Sequence, residues 1–197
     1  NPNFRYEFAD ATFLTHEDIN VFNPPINGTA EDNVITGTAL SDIITGKEGN
    51  DIIEGLAGDD TYIYNLGDGK DIIYDTAGVD TIRFGAGITQ GDVIFKAQGE
   101  NFIINFVGSE DEITVLGGLY DESKIDHFRF EDGSSLTYSE AVALIGDIIG
   151  TNGEDVLEGS IISDTFRPLA GNDMVEGSKE NDTYLYTLGG GHDTILD

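Results

Sequence analysis

The sequence predicts a mainly β protein, in which two blocks of a parallel β-roll, a solenoid of nine-residue repeats, are separated by a small β-rich module with a short helix. Three observations predict this fold. Glycine, aspartate and an apolar residue recur every nine residues, and the whole block of repeats occurs a second time further along the chain. Acidic residues number 38 against 9 lysines and arginines, and a compact chain with a net charge of -29 repels itself unless cations bind.

The short period begins at Gly28 and runs through six repeats, here called rungs. Four contiguous rungs read GTAEDNVIT, GTALSDIIT, GKEGNDIIE and GLAGDDTYI, and LGDGKDIIY and DTAGVDTIR follow after a two-residue insertion. The sixth positions are Asn33, Asp42, Asp51, Asp60, Asp71 and Asp80, and the eighth are Ile35, Ile44, Ile53, Tyr62, Ile73 and Ile82. Because side chains of a strand alternate between its faces, positions seven to nine predict a short strand whose middle residue is buried. Two rungs form one coil, so each rung should stack on the next but one.

A longer period of 122 residues relates the two blocks. At that offset residues 28–75 align with 150–197 without a gap, and 21 of the 48 aligned positions are identical. The rungs of the second block read GTNGEDVLE, GSIISDTFR, PLAGNDMVE, GSKENDTYL and LGGGHDTIL. The predicted parts are the tail of a preceding module at 1–26, a first roll at 27–83, a module at 84–149 and a second, truncated roll at 150–197. We expect the chain to be a piece of a longer tandem array.

The module between the blocks has a different pattern. Partial alternation of apolar residues, interrupted by glycine-containing turns, predicts strands at 92–98, 101–107 and 112–116, and a further strand at 125–130. The segment 139–145 is typical of a short amphipathic helix, for which Ser139 is a candidate N-cap.

The loops of the rungs have the chemistry of a calcium site. Calcium takes six to eight oxygen ligands at about 2.3–2.6 Å. A short loop supplies so many oxygens only if backbone carbonyls also point inward, and glycine reaches the necessary conformations without steric cost. We therefore predict calcium ions between stacked loops. The candidate ligand positions are Asp42, Gly46, Gly49, Asp51, Gly55, Gly58, Asp60, Gly69, Asp71, Gly78, Asp80, Gly150, Gly153, Asp155, Asp164, Gly171, Asp173, Asp182, Gly191 and Asp193.

These rungs resemble G-G-x-G-x-D-x-U-x, the calcium-binding nonapeptide of RTX, or hemolysin-type, proteins. The segment 67–145 is similar to the module that caps such blocks in several of these proteins. The resemblance implies a parallel β-roll with several calcium ions, export by type I secretion machinery and folding outside the cell. It implies a large secreted or surface-attached bacterial parent, such as a toxin or adhesin. We therefore expect an extracellular calcium-binding structural module that stacks on neighbouring repeats of its own chain.

Departures from the nonapeptide predict which sites are strongest. The fourth-position glycine is present in the last four rungs of the first block, so the best sites should lie between 46–51 and 66–71 and between 55–60 and 75–80. Asn33 replaces the usual aspartate, so its rung should ligate weakly or only cap the roll. In the second block, alternate rungs lie on the same edge of the roll. We expect calcium mainly on the edge of Asp155, Asp173 and Asp193, and less on the edge of Asp164 and Asp182.

Other interpretations stay open at this stage. The rolls can be the tail of an extracellular protease, lipase or epimerase, or the module can bind a ligand in an adhesin; a metal-free β-solenoid is the structural alternative. No complete catalytic motif is present, so we expect no enzyme activity in this chain. The acidity disfavours nucleic acid and anionic membranes as partners, no apolar run suggests membrane insertion, and the absence of cysteine excludes disulfides.

Overall fold

The computed structural model describes residues 5–7, 13–15, 23–120 and 122–196, so most of the predicted tail at 1–26 lies outside the described residues. The described residues are mainly β and contain one short α-helix, which confirms the predicted fold class. The strands are β1 (Arg5–Glu7), β2 (Phe13–Thr15), β3 (Ile26–Asn27), β4 (Val34–Thr36), β5 (Ile43–Thr45), β6 (Ile52–Ala57), β7 (Thr61–Tyr64), β8 (Lys70–Ala77), β9 (Thr81–Phe84), β10 (Val93–Gln98), β11 (Asn101–Phe106), β12 (Glu112–Val115), β13 (His127–Arg129), β14 (Ser135–Thr137), β15 (Ile148–Ile149), β16 (Val156–Glu158), β17 (Thr165–Arg167), β18 (Met174–Glu176), β19 (Thr183–Tyr184) and β20 (Thr194–Leu196); the helix α1 is Tyr138–Val142. No helix in these ranges is long and apolar enough to span a membrane.

The first roll consists of two parallel sheets that face each other. Strands β4, β6 and β8 form one sheet and β3, β5, β7 and β9 form the other, so each rung pairs with the next but one. The pairing joins Ile35 to Ile53 and Ile53 to Ile73 in register. All six eighth-position side chains are buried, whereas the seventh-position residue Val34 is 78% exposed. The predicted stacking and the predicted inward-facing residues are confirmed.

The module continues the two sheets of the first roll. Strand β12 pairs parallel to β8, and β13 pairs parallel to β9, while β10 and β11 add antiparallel strands beside β12. One hydrophobic cluster accordingly extends from Ile35 in the first rung to Ala141 in the helix. The first roll and the module share this core, and the limits of the four predicted parts stay predictions.

The helix α1 begins at Tyr138, and Ser139 is not its N-cap as predicted. The side chain of Thr137 accepts a hydrogen bond from the backbone N–H of Glu140, and the carboxylate of Glu140 accepts one from the backbone N–H of Thr137. This reciprocal capping box satisfies the backbone donors of Thr137 and Glu140, and the contact in both directions fixes the start of the helix.

The second roll repeats the first with its own small core. Strands β15, β17 and β19 form one sheet and β16, β18 and β20 the other, with Leu157, Phe166 and Val175 buried between them. The 122-residue period also appears in two hairpins. Arg5 pairs with Thr15 in the hairpin of β1 and β2, and the residues 122 positions later, His127 and Thr137, pair in the hairpin of β13 and β14.

Candidate metal centre

The sixth residue of every rung but the first is an aspartate, and in several rungs the stacked loops remove its carboxylate from water. Asp51, Asp60, Asp71, Asp80 and Asp173 are each at most 3% exposed. Burying an ionised carboxylate costs several kcal/mol unless hydrogen bonds or a cation compensate it. The partners of these oxygens therefore decide whether the loops need a metal.

One carboxylate oxygen ties each coil to its neighbour. The Oδ1 atom of Asp71 accepts a hydrogen bond from the backbone N–H of Asp51 at 3.0 Å, and Oδ1 of Asp80 accepts from Asp60 at 2.9 Å. The structure thus brings together both aspartate pairs that were predicted to form the strongest sites. The same contact links the other stacked sixth positions: Asn33 with Asp51, Asp42 with Asp60, Asp155 with Asp173, Asp164 with Asp182, and Asp173 with Asp193.

The second oxygen divides the first four rungs of each roll into two kinds. In the first two rungs of each roll, the residue at position two is threonine or serine, and its N–H and hydroxyl both donate to the sixth residue of the same rung. Thr38 donates to Oδ2 of Asp42 at 2.6 and 2.9 Å, and Ser160 donates to Oδ2 of Asp164 at the same two distances. We call these rungs, 28–36, 37–45, 150–158 and 159–167, the self-closed rungs.

The third and fourth rungs of each roll lack this closure. Their aspartates, Asp51, Asp60, Asp173 and Asp182, each have a buried Oδ2 atom without a hydrogen-bond partner. We call these rungs, 46–54, 55–63, 168–176 and 177–185, the open rungs. A buried acceptor without a donor is rare in a folded protein, and a bound cation is one way to satisfy such an oxygen.

The backbone conformation at position two also differs between the self-closed and the open rungs. The second residue of every open rung has a left-handed conformation: φ is 72° at Lys47, 82° at Leu56, 73° at Leu169 and 82° at Ser178. This conformation is costly for residues other than glycine. It takes the place of the threonine or serine turn that closes the first two rungs. Sequence reasoning did not detect this division, and the residue type at position two does not predict it, because Ser178 occupies that position in an open rung.

The fourth-position glycines let successive loops approach closely. A β-carbon at Gly69, Gly78, Gly171 or Gly191 would overlap the carbonyl oxygen of the fourth-position glycine one coil earlier, and all four residues have positive φ. Gly153, in a self-closed rung, is different, because the nearest atom to such a β-carbon is 3.6 Å away. The glycine is therefore essential where carbonyl oxygens of stacked loops converge.

The electrostatics of the first roll also favour a cation. Burial, reinforced by neighbouring carboxylates, raises the pKa of Asp60, Asp71 and Asp80 to about 7. Burial likewise raises the pKa of Asp51. At neutral pH Asp60, Asp71 and Asp80 take up either a proton or a metal ion. The atoms available as metal ligands are carboxylate and carbonyl oxygens, which are the ligands that a hard cation such as calcium prefers.

Family models match most of this architecture. The RTX calcium-binding nonapeptide repeat matches residues 36–70, 63–90 and 149–184, and the haemolysin-type calcium binding protein related domain matches residues 101–140. The fold and its buried carboxylates define a calcium-binding β-roll. The chain belongs to the RTX calcium-binding repeat proteins.

The chain spans only a small part of the individual proteins that it resembles. The chain is 30% identical over 105 residues to the iron-regulated protein FrpA of Neisseria meningitidis serogroup C, a match that covers 49% of this chain and 9% of that protein. A solved structure, the extracellular lipase LipA from Serratia marcescens, aligns with 88% of this chain and 31% of its own at 16% identity. Its TM-score of 0.22 is too low to support any argument from that structure.

Proposed function

We propose that this chain is a structural module of a large secreted or surface-attached bacterial RTX protein, and that it folds and becomes rigid when calcium binds outside the cell. RTX repeats bind calcium, and the family is typical of secreted proteins. The residues that would hold the ions are the aspartates of the open rungs, Asp71 and Asp80, which stack on two of them, and carbonyl oxygens of the stacked loops. The observation that carries the proposal is the set of four buried carboxylate oxygens without a partner.

Charge supports coupling between metal and folding. A net charge of -29 opposes compaction, and bound divalent cations reduce that repulsion while compensating the buried carboxylates. The binding free energy of an ion that the unfolded chain does not hold becomes folding stability. A chain of this kind remains expanded at low calcium during export through a type I secretion machinery and folds in the calcium-rich exterior.

The test is a calcium titration followed by far-ultraviolet circular dichroism, with magnesium as the control ion and native mass spectrometry to count bound ions. We expect a cooperative gain of β signal with calcium and several bound ions. Magnesium should give little gain of β signal, because this ion demands near-ideal octahedral geometry and loses its bound water reluctantly. A chain that is fully folded in chelator and binds no calcium would contradict the proposal and favour the metal-free solenoid.

A matched pair of variants assigns the ions to the open rungs. Asp51→Asn removes a carboxylate with an unpartnered oxygen, whereas Asp42→Asn changes a carboxylate whose oxygens have protein donors. We expect Asp51→Asn to lower the ion count by one and Asp42→Asn to leave it unchanged. Equal losses in the two variants would show that the division of rungs does not govern calcium binding.

A further inference from the structure

Asp75 places a carboxylate where no other rung has one. It is the first residue of the rung 75–83, a position that is glycine, leucine or proline in the other ten rungs. The nonapeptide motif assigns no ligand side chain to this position, and sequence reasoning did not select Asp75. The residue is nevertheless fully buried, at 0% exposure. A buried carboxylate outside the motif needs its own physical explanation.

Its two oxygens have different surroundings. Oδ1 accepts hydrogen bonds from the backbone N–H groups of Thr76 and Ala77, at 2.6 and 3.3 Å, which fix the orientation of the side chain. Oδ2 accepts the hydroxyl proton of Tyr62. The carboxylate is thus held in place from one side while its other oxygen faces the interior of the roll.

Three carboxylates meet at this point. Oxygens of Asp60, Asp75 and Asp80 all lie within 4.8 Å of one another, and all three residues are buried. Within the described residues no other group of three or more aspartate, glutamate or histidine side chains comes so close together. The ion pairs found in the described ranges, Lys124 with Asp126 and Arg167 with Asp147, do not include any of the three.

An unpartnered oxygen points into the same space. Oδ2 of Asp60 has no hydrogen-bond partner although Asp60 is only 1% exposed. A β-carbon built on Gly55 would lie 2.7 Å from Oδ2 of Asp60 and 2.5 Å from Oδ2 of Asp75, and it would overlap the hydroxyl of Tyr62. The oxygens therefore converge beside a glycine whose lack of a side chain leaves room for them.

Mutual repulsion makes this cluster unfavourable without a cation. Burial is the main cause of the raised pKa of Asp75, and the charge of Asp75 contributes to the raised pKa of both Asp60 and Asp80. Three like charges at this separation share a proton or bind a metal ion.

We propose that Asp75 is a cation ligand outside the nonapeptide motif, and that Asp60, Asp75 and Asp80 hold one calcium ion in a three-carboxylate site. This inference rests on the proposed function, since it assumes that the roll binds calcium. It adds a ligand that the repeat pattern does not contain. With three carboxylates around one ion, this site has a higher negative charge than a site built from two sixth-position aspartates, so it should bind calcium most tightly and prefer a trivalent ion.

The first experiment compares Asp75→Asn with wild type by isothermal calorimetry and native mass spectrometry. Asp75→Asn keeps the shape of the side chain and removes its charge, and Asp75→Gly restores the residue found at most first positions. We expect both variants to reach the wild-type β signal at saturating calcium, while the tightest binding event weakens at least tenfold. Asp68→Asn, which alters a buried carboxylate outside the cluster, should leave that event unchanged. Wild-type affinity in both Asp75 variants would overturn the inference, whereas a wild type that binds no calcium would refute the proposed function instead.

A second measurement is made on the wild-type chain and needs a variant only to assign resonances. Gadolinium(III), added in trace amounts to the calcium-saturated protein, should displace calcium first from the site of highest charge. Its paramagnetism would then broaden the ring resonances of Tyr62 before those of Tyr184 in the second roll. Tyr62→Phe identifies the resonances. Broadening that affects Tyr62 no earlier than Tyr184 would overturn the inference.

Discussion

The self-closed rungs and the open rungs share one nine-residue pattern but satisfy their buried aspartates differently. In a self-closed rung such as 37–45, the hydroxyl of Thr38 donates to Asp42 and accepts from the backbone N–H of Leu40. In an open rung such as 46–54, the left-handed Lys47 leaves Oδ2 of Asp51 without a donor. A Gly-Asp rung is thus closed by its own chain in the first case, whereas in the second its buried oxygen is left for the calcium ion that we propose.

The self-closed rungs lie at the start of each roll, where no earlier rung is available for a shared ion. Asn33 shows that such a rung needs no charge, since its Oδ1 accepts from the N–H and hydroxyl of Thr29 at 2.6 and 3.2 Å. Three of the four self-closed rungs also lack glycine at position four, where they have Glu31, Leu40 and Ile162. We infer that the need for calcium begins at the third rung of each roll.

The largest expected effect comes from adding a methyl group where an open rung stacks on the preceding rung of the same edge. Gly171→Ala would place a β-carbon against the carbonyl oxygen of Gly153 at a φ of 144°. We expect a loss of about 3 kcal/mol or more in the free energy of unfolding in saturating calcium. Gly153→Ala, in a self-closed rung, should change it by less than about 1 kcal/mol. Chemical denaturation followed by circular dichroism measures both, and equal losses would remove the distinction between the rungs.

The next largest effect is a difference in calcium binding between two aspartates on one edge of the second roll. Oδ2 of Asp182 has no partner, whereas Oδ2 of Asp164 accepts from Ser160. Asp182→Asn should therefore remove one bound ion or weaken it about tenfold, and Asp164→Asn should not. The fourth-position residues instead predict weaker calcium binding along this whole edge, and this stays a prediction. Native mass spectrometry of the two variants distinguishes the two expectations. A full ion count in Asp182→Asn would favour the sequence pattern over the hydrogen-bond pattern.

A smaller effect is expected inside a self-closed rung. Thr38→Val keeps the shape of the side chain but removes the hydroxyl that contacts Asp42 and Leu40, at a cost of about 1–3 kcal/mol in the free energy of unfolding. The loss should be the same at moderate and at saturating calcium, and the ion count should not change. Thr36→Val, at an exposed strand position, is the control. A change in the ion count would show that this rung also binds calcium.

The smallest effect is a pH dependence of the calcium sites. The pKa of Asp60, Asp71 and Asp80 is about 7 in the metal-free fold against 3.8 as the usual value, so protons compete with calcium near neutrality. The half-saturating calcium concentration should rise about threefold per carboxylate between pH 7.5 and 6.5. Calorimetry at the two values tests this, and tighter binding at pH 6.5 would contradict it.

The same shifts set the stability of the metal-free fold, with the opposite sign. Because folding raises these pKa values, the folded chain holds protons that the unfolded chain has released. That contribution is fully present below about pH 3.8 and is lost as the pH rises through about 7. In chelator, the folded fraction, measured as far-ultraviolet β signal, should therefore rise as the pH falls from 8 to 6.

Much of the fold was accessible from the sequence because its signals are local and repeated. The nine-residue period predicts that Ile44 and Tyr62 are buried and that each rung stacks on the next but one, and both hold. The sequence also predicts the helix in the module, but its candidate cap is Ser139, whereas the structure has Thr137. Several residues there can cap, and only the return contact of Glu140 selects Thr137.

The sequence by itself determined the periods of nine and 122 residues, the buried column of apolar side chains and the column of aspartates, because each follows from residue type and spacing. Only the tertiary structure decided which aspartates lack a partner. Ser160 and Ser178 occupy the same position of successive rungs on one edge, yet Ser160 closes its rung and Ser178 is left-handed. Likewise, Asp75 meets Asp60 and Asp80 only when the coils stack. The physical reason is that hydrogen bonding of a buried oxygen depends on backbone conformation and on the neighbouring coil, which a nine-residue pattern does not encode.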